Sequence, residues 1–214
     1  MSKITYTALR EIELIGYAKN GTDISVASAD DSFNATVTVL TGLLNDQWLL
    51  SSGFTNSVNN GWFQASADAT ATKILQDTTA SLITEAAGNA ISLIGYKRGY
   101  GQSYDLGFFP SVLSRNVEMV RKSARSLGGA METLTQRRDV FFTINTGPLA
   151  EESLNQWREF LASVEGGESF LFDSQGIPGI PSTPFLAVLD SEKYQEDRLS
   201  TSLLYGINLV LRAA

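Results

Sequence analysis

A chain of 214 residues with 43% hydrophobic content can bury a core of its own, as one large domain or two small ones. It carries no cysteine and no histidine, which removes the common zinc and iron–sulfur sites, any disulfide framework, and the hydrolase arrangements that need an imidazole base. The balance of 16 basic against 23 acidic residues, net −7, argues against a protein that clings to nucleic-acid phosphates, and no window approaches the roughly 20 apolar residues of a membrane span.

The opening MSKITYTALREIELIGYAKNG has a basic residue but no apolar run behind it, so a chain made and kept in a cytoplasm, or assembled there into something larger, is expected. The triplets NGT at Asn20 and NAT at Asn34 read as chance matches to a glycosylation signal. From Asn34 to Tyr96 the only basic residue is Lys73, set against Asp46, Asp68, Asp77 and Glu85, and Thr, Ser, Ala and Asn dominate. This shift predicts an inserted module at 34–96 within an outer domain made of 1–33 and 97–214.

Within the module, β-branched runs alternate with turn residues. NATVTVLT (Asn34 to Thr41), DQWLLSSG (Asp46 to Gly53), GWFQASA, TKILQD and NAISLIGY predict about five short strands, a small antiparallel barrel or sandwich. Between the second and third lies SGFTNSVNNGWF, where Asn60-Gly61 suits a tight hairpin turn because both residues take positive φ cheaply. Of the flanking Phe54, Trp62 and Phe63, at least two should pack into the core, though aromatics around Phe54 and Trp62 also permit stacking on a glycan.

After the module, YKRGYGQSYDLGFFPS carries Tyr96, Tyr100, Tyr104, Phe108 and Phe109 among glycines, a pattern that fits a hinge, an extended arm or a plain linker. A polar linker is expected around Arg125 to Gly129, then a strand in METLTQRRDVFFTINT. PLAEESLNQWREFLASVEGG predicts a helix: Leu149, Leu154, Trp157, Phe160, Leu161 and Val164 recur at three- and four-residue intervals, Glu151, Glu152 and Glu159 fall on other faces, and Gly166-Gly167 stops it. ESFLFD, FLAVLDSEKY and SLLYGINLVLRAA read as further strands, with GIPGIPSTP as an irregular loop. The class is therefore mainly β: a split β-barrel or sandwich with one amphipathic helix, plus the small inserted β module.

The ordered motifs at Ser126 to Gly129, Arg137 to Asp139, Thr146 to Leu149, Trp157 to Phe160 and Gly166 to Asp173, with the opening YTALREI, resemble the minor tail proteins of long-tailed bacteriophages, of the distal tail or baseplate-ring type. The likeness runs over roughly two thirds of the chain. The module's SGFTNSVNNGWFQASA and ITEAAGNAISLIGY resemble a small β domain of phage tail-tube and other tail proteins, an insertion that simpler minor tail proteins lack. The resemblance implies a virion structural protein, assembled in the host cytoplasm and placed at the tail tip. It would form a homo-oligomeric, commonly hexameric, ring that continues the tail tube and docks hub or fibre proteins, with DNA only in transit through the bore. It implies no enzyme activity, no cofactor, no metal and no membrane anchor.

Sixfold closure needs a heterologous interface. The strand elements expected to supply it are Val140, Phe142 and Ile144 in one strand and Leu204, Ile207, Leu209 and Leu211 in a long final strand, Leu203 to Arg212. Two rivals stand beside this reading. One is the tail-tube subunit. The other is a carbohydrate-binding or carbohydrate-active tail component using Glu168 and Asp173 as acid and base, but alternation puts two residues five apart on opposite faces of a strand. Glu165 and Glu168 more simply satisfy the turn after the helix.

Overall fold

The computed structural model describes residues 1–77, 81–129, 131–176, 183–190, 194–199 and 204–214. Among the described residues the chain is mainly β, with one α-helix and antiparallel pairing between the strands. It divides into two compact units: an outer one of Met1–Thr7 with Ser103–Ala214, and an inner one of Ala8–Gln102. The inner segment thus starts well before the composition shift at residue 34. The reason is pairing: residues 14–21 form a strand that hydrogen-bonds to the strand at 91–96, so they belong to the inner sheet whatever their charge.

In chain order, β1 (Ser2–Thr7) belongs to the outer unit. The inner unit follows with β2 (Leu14–Gly21), β3 (Ser25–Ala27), β4 (Ser32–Asn34), β5 (Trp48–Ser52), β6 (Gly61–Gln64), β7 (Lys73–Leu75) and β8 (Ile91–Tyr96). They form a four-stranded sheet in the order β2-β8-β5-β6 and a three-stranded sheet β3-β4-β7. Both contribute to one core, with Val26, Phe33 and Ile74 from the smaller sheet meeting Leu49, Phe63 and Leu93 from the larger. Phe33 lies 5.6 Å from Phe54 and 5.4 Å from Phe63, so two of the three flanking aromatics are core residues, as expected. The ends of the unit are tied together by Ala8 N–H donating to the Gln102 carbonyl at 2.9 Å.

Two local expectations fail here, one to a side-chain acceptor and one to a longer loop. NATVTVLT is no strand beyond Asn34, because the Asp23 carboxylate gathers the backbone N–H groups of Thr36, Val37 and Thr38 (2.9, 2.6 and 2.8 Å) and the Thr38 hydroxyl (2.5 Å). Side-chain acceptors of this kind compete with ladder bonds. Nor is Asn60-Gly61 a two-residue turn. Ser51 pairs with Gly61, and the reversal between them takes a longer loop containing a 3-10 turn at Ser57–Asn59, with Asn60 extended at φ −100°. The asparagines close that loop through their amides. Asn60 accepts from Phe54 N–H and donates back to the Phe54 carbonyl, both at 2.9 Å, while buried Asn59 brackets the Ile83 backbone, accepting from its N–H and donating to its carbonyl.

The chain returns to the outer unit with β9 (Ser103–Phe108), β10 (Val112–Arg125), β11 (Met131–Asn145), β12 (Leu149–Ala150), α1 (Glu151–Val164), β13 (Phe170–Asp173), β14 (Phe185–Leu189), β15 (Gln195–Arg198) and β16 (Leu204–Ala213). Leu203 lies outside the described residues, as do residues 177–182 of the GIPGIPSTP loop and 191–193 of the FLAVLDSEKY run. Seven strands lie side by side as β10-β11-β16-β14-β13-β1-β9. Laid flat, six spacings would span about 29 Å. Yet β9 ends at Phe108 and β10 begins at Val112, and four residues reach about 14 Å at most. The sheet must therefore curl until its two edges approach. Among the described residues β9 and β10 do not pair, so the curl stays open and no closed barrel forms.

Helix α1 fills one face of that curl. Leu154, Trp157, Phe160, Leu161 and Val164 are buried, with Trp157 5.2 Å from Phe108, and Phe160 5.3 Å from Tyr6 and 5.0 Å from Phe170. Glu159 is not on an outer face as periodicity suggested. It is fully buried, and accepts the Tyr6 hydroxyl proton at 2.9 Å, so a tyrosine on β1 reaches across to it. Among the described residues no helix is long and apolar enough to cross a membrane.

Candidate assembly interface

The structure separates the residues proposed for contact with neighbours. Phe142 and Ile144 on β11, and Ile207, Leu209 and Leu211 on β16, are at most 2% exposed. They face the outer unit's own core, where Phe142 lies 5.0 Å from Phe185, and are spent on packing within the chain. Val140 and Leu204 are half-buried. Alternation marks a residue for burial but does not say against what.

The tyrosine- and phenylalanine-rich stretch is not an arm. Tyr96 ends β8 and packs on Trp62 at 4.7 Å. Tyr104 and Phe108 sit in β9, which pairs with β1 along its whole length, and Phe108 is buried. Tyr100 and Phe109 are the exposed members.

What does project is the β10–β11 hairpin, whose first strand the sequence pattern missed. The pair runs in register from Val112 opposite Asn145 to Arg125 opposite Met131, and the expected linker at Arg125 to Gly129 is its tip. β16 supports β11 only over Phe141–Asn145. Beyond that, nine residues of β10, Val117 to Arg125, pair with β11 alone and extend roughly 30 Å at the ordinary rise per residue. Both faces of β10 are exposed there, Val117 alone being half-buried. With neither face buried, no period-two pattern of apolar residues arises, which is why the strand was illegible.

The hairpin's charge opposes that of the remainder. Between Val112 and Asn145 stand Arg115, Arg121, Lys122, Arg125, Arg137 and Arg138 against Glu118, Glu132 and Asp139, net +3, which leaves −10 for the rest of the chain. Asp139 pairs with Arg137 at 2.5 Å, holding that guanidinium's pKa above its ordinary value through the hydrogen bond and the adjacent charge. At the hairpin's base lies an apolar depression of about 230 Å³ lined by Arg115, Val140, Phe142, Phe185, Leu186 and the terminal alanines. Leu171 and Leu186, opposite each other in register, are exposed on the sheet face away from the helix.

The Asp173 carboxylate accepts Gln175 N–H at 2.8 Å and its side-chain amide at 2.6 Å, closing the turn after β13. The inner unit has an open polar depression of about 510 Å³ along Thr55–Ser57, Thr84 and Glu85. Burial raises the Glu85 carboxyl, but N–H donors from Asn56, Thr55, Asn59 and Asn89 outweigh it and hold the group below the usual carboxylate range. Its lone pairs are committed to the loop that the asparagines close. Among the described residues no three acidic side chains gather as a metal site.

No protein-family model matches the sequence, and a search of the curated proteins returns no match.

Proposed function

We propose that this chain is a self-assembling structural subunit of a phage tail, of the distal tail type, whose copies join into a ring that continues the tube, docks hub or fibre proteins, and lets DNA pass through its bore. The observation that carries the reading is the projecting hairpin. An isolated two-stranded ribbon is marginal in water, and it presents unpaired backbone on both edges. A protein that keeps nine residues of β10 in such a ribbon has a use for it outside its own fold. The exposed Leu171 and Leu186 on the uncovered sheet face support the same reading, as do the tail-protein motifs in the outer unit.

The test is immunogold labelling of virions whose genome encodes the chain. Label confined to the tail tip supports the distal ring. Label along the whole shaft supports the tail-tube alternative instead. Virions without label overturn the structural reading altogether.

A further inference from the structure

The two faces of the hairpin carry different charge, and this follows from register alone. Residues directly opposite in an antiparallel pair share a face, and faces alternate along each strand. On β10 one row is therefore Leu113, Arg115, Val117, Met119, Arg121, Ser123 and Arg125. Its partners on β11 include Val140 opposite Val117, Arg138 opposite Met119, and Met131 opposite Arg125. Arg115, Arg121, Arg125 and Arg138 thus stand together, with no acid at any position of the row. The Arg121 guanidinium lies 2.9 Å from the Met119 sulfur, as neighbours on one face should.

The opposite row holds Glu118 facing Asp139, Val120 facing Arg137, and Lys122. A register shift between Val120 and Arg121 decides the segregation. Arg137 pairs with Val120 but Thr135 with Arg121, so Gln136 is the extra residue of a bulge in β11. Without it, Gln136 would oppose Arg121, and Glu132 rather than Met131 would oppose Arg125, placing an acid in the arginine row.

We infer that this arginine row docks on the acidic body of a second copy of the chain; the inference rests on the assembly reading above and specifies its contact. The row runs from Arg115 to Arg125, roughly 34 Å, so its partner must be extended and acidic. The chain outside the hairpin, at −10, meets the second requirement, and each copy carries both halves of the contact. The cations are all arginine and are interleaved with Val117, Met119 and Met131. Arginine forks onto carboxylates, and arginine with methionine marks protein interfaces, whereas a phosphate-tracking strip has no need of the apolar residues. Hairpin onto body is heterologous, so it propagates from copy to copy and closes when the rotation allows.

Sedimentation velocity on the full chain tests this, comparing wild type, Arg121→Glu/Arg138→Glu, and the other-row control Lys122→Glu, at about 50 mM and about 500 mM salt. Wild type is expected to associate at low salt and about tenfold more weakly at high salt; the double variant loses association about tenfold or more, and the control stays within about twofold of wild type. Unchanged tryptophan fluorescence confirms that each variant is folded. Association that survives the double variant, or falls equally in the control, overturns the docking face while leaving a ring intact. A wild type that stays monomeric also overturns it, and virion labelling then judges the ring reading separately. A fluorescent DNA duplex bound by wild type but not by the double variant, with no self-association, overturns it in favour of nucleic acid.

Discussion

Replacing Phe142 by alanine separates a core role from an interface role. The side chain is 1% exposed, with its ring 5.0 Å from Phe185 and 6.3 Å from Phe172. Burying a phenylalanine is worth about 1.5–3 kcal/mol and each well-placed aromatic partner about 0.5–1.5 kcal/mol more, so truncations of this kind cost about 3–5 kcal/mol. Phe142 also lines the depression of about 230 Å³ at the hairpin's base. Its vacated space is not sealed, and neighbours or water can enter it, which places the cost near the lower end, about 3 kcal/mol. The three tryptophans suit the measurement: Trp48 and Trp62 lie in the inner unit, and Trp157 is fully buried in the outer one. In a Trp48→Phe/Trp62→Phe background, guanidinium unfolding read by Trp157 reports the outer unit alone. With a slope of roughly 4 kcal/mol/M, the midpoint should fall by about 0.8 M. A shift worth less than about 1 kcal/mol, together with lost self-association, would place Phe142 at a subunit boundary and refute the core assignment.

Two further outcomes concern the inner unit. Gly53 has φ +100°, and a Cβ there would stand 2.2 Å from the Ala90 carbonyl oxygen; Gly53→Ala should cost about 2 kcal/mol or more by Trp48 and Trp62 fluorescence, and a loss under about 0.5 kcal/mol would contradict the geometry. Glu85 has its folded pKa below the unfolded value, so its stabilisation is complete above about pH 4.3 and disappears as pH falls through the folded pKa. Acid titration of inner-unit stability should be less steep in Glu85→Gln than in wild type, with a residual slope from Asp23 and Asp30, whose pKa values are also lowered. An unaltered slope would remove Glu85 from the account.

Some of this architecture could be read directly from the residue pattern. The helix at Glu151–Val164 was legible because its apolar positions recur at helical spacing and two glycines stop it. The core strands β5, β8, β13 and β16 were legible because one face of each is buried and period-two alternation survives. The strand expected at Asn34–Thr41 was lost to a carboxylate, Asp23, distant enough in sequence that no local window includes it as a partner.

By itself, the sequence determined a β-rich chain with one amphipathic helix, without thiol or imidazole chemistry, and with most of its core positions, because burial writes a period into the residues that undergo it. Tertiary structure decided which side of that burial each residue serves. Phe142 and Leu211 face inward rather than toward a neighbour, Glu159 is enclosed beside Tyr6, and the inner unit begins at Ala8. It also decided the arginine row, since the faces of a ribbon depend on strand register and on one bulged residue, and neither leaves a hydrophobic period to read.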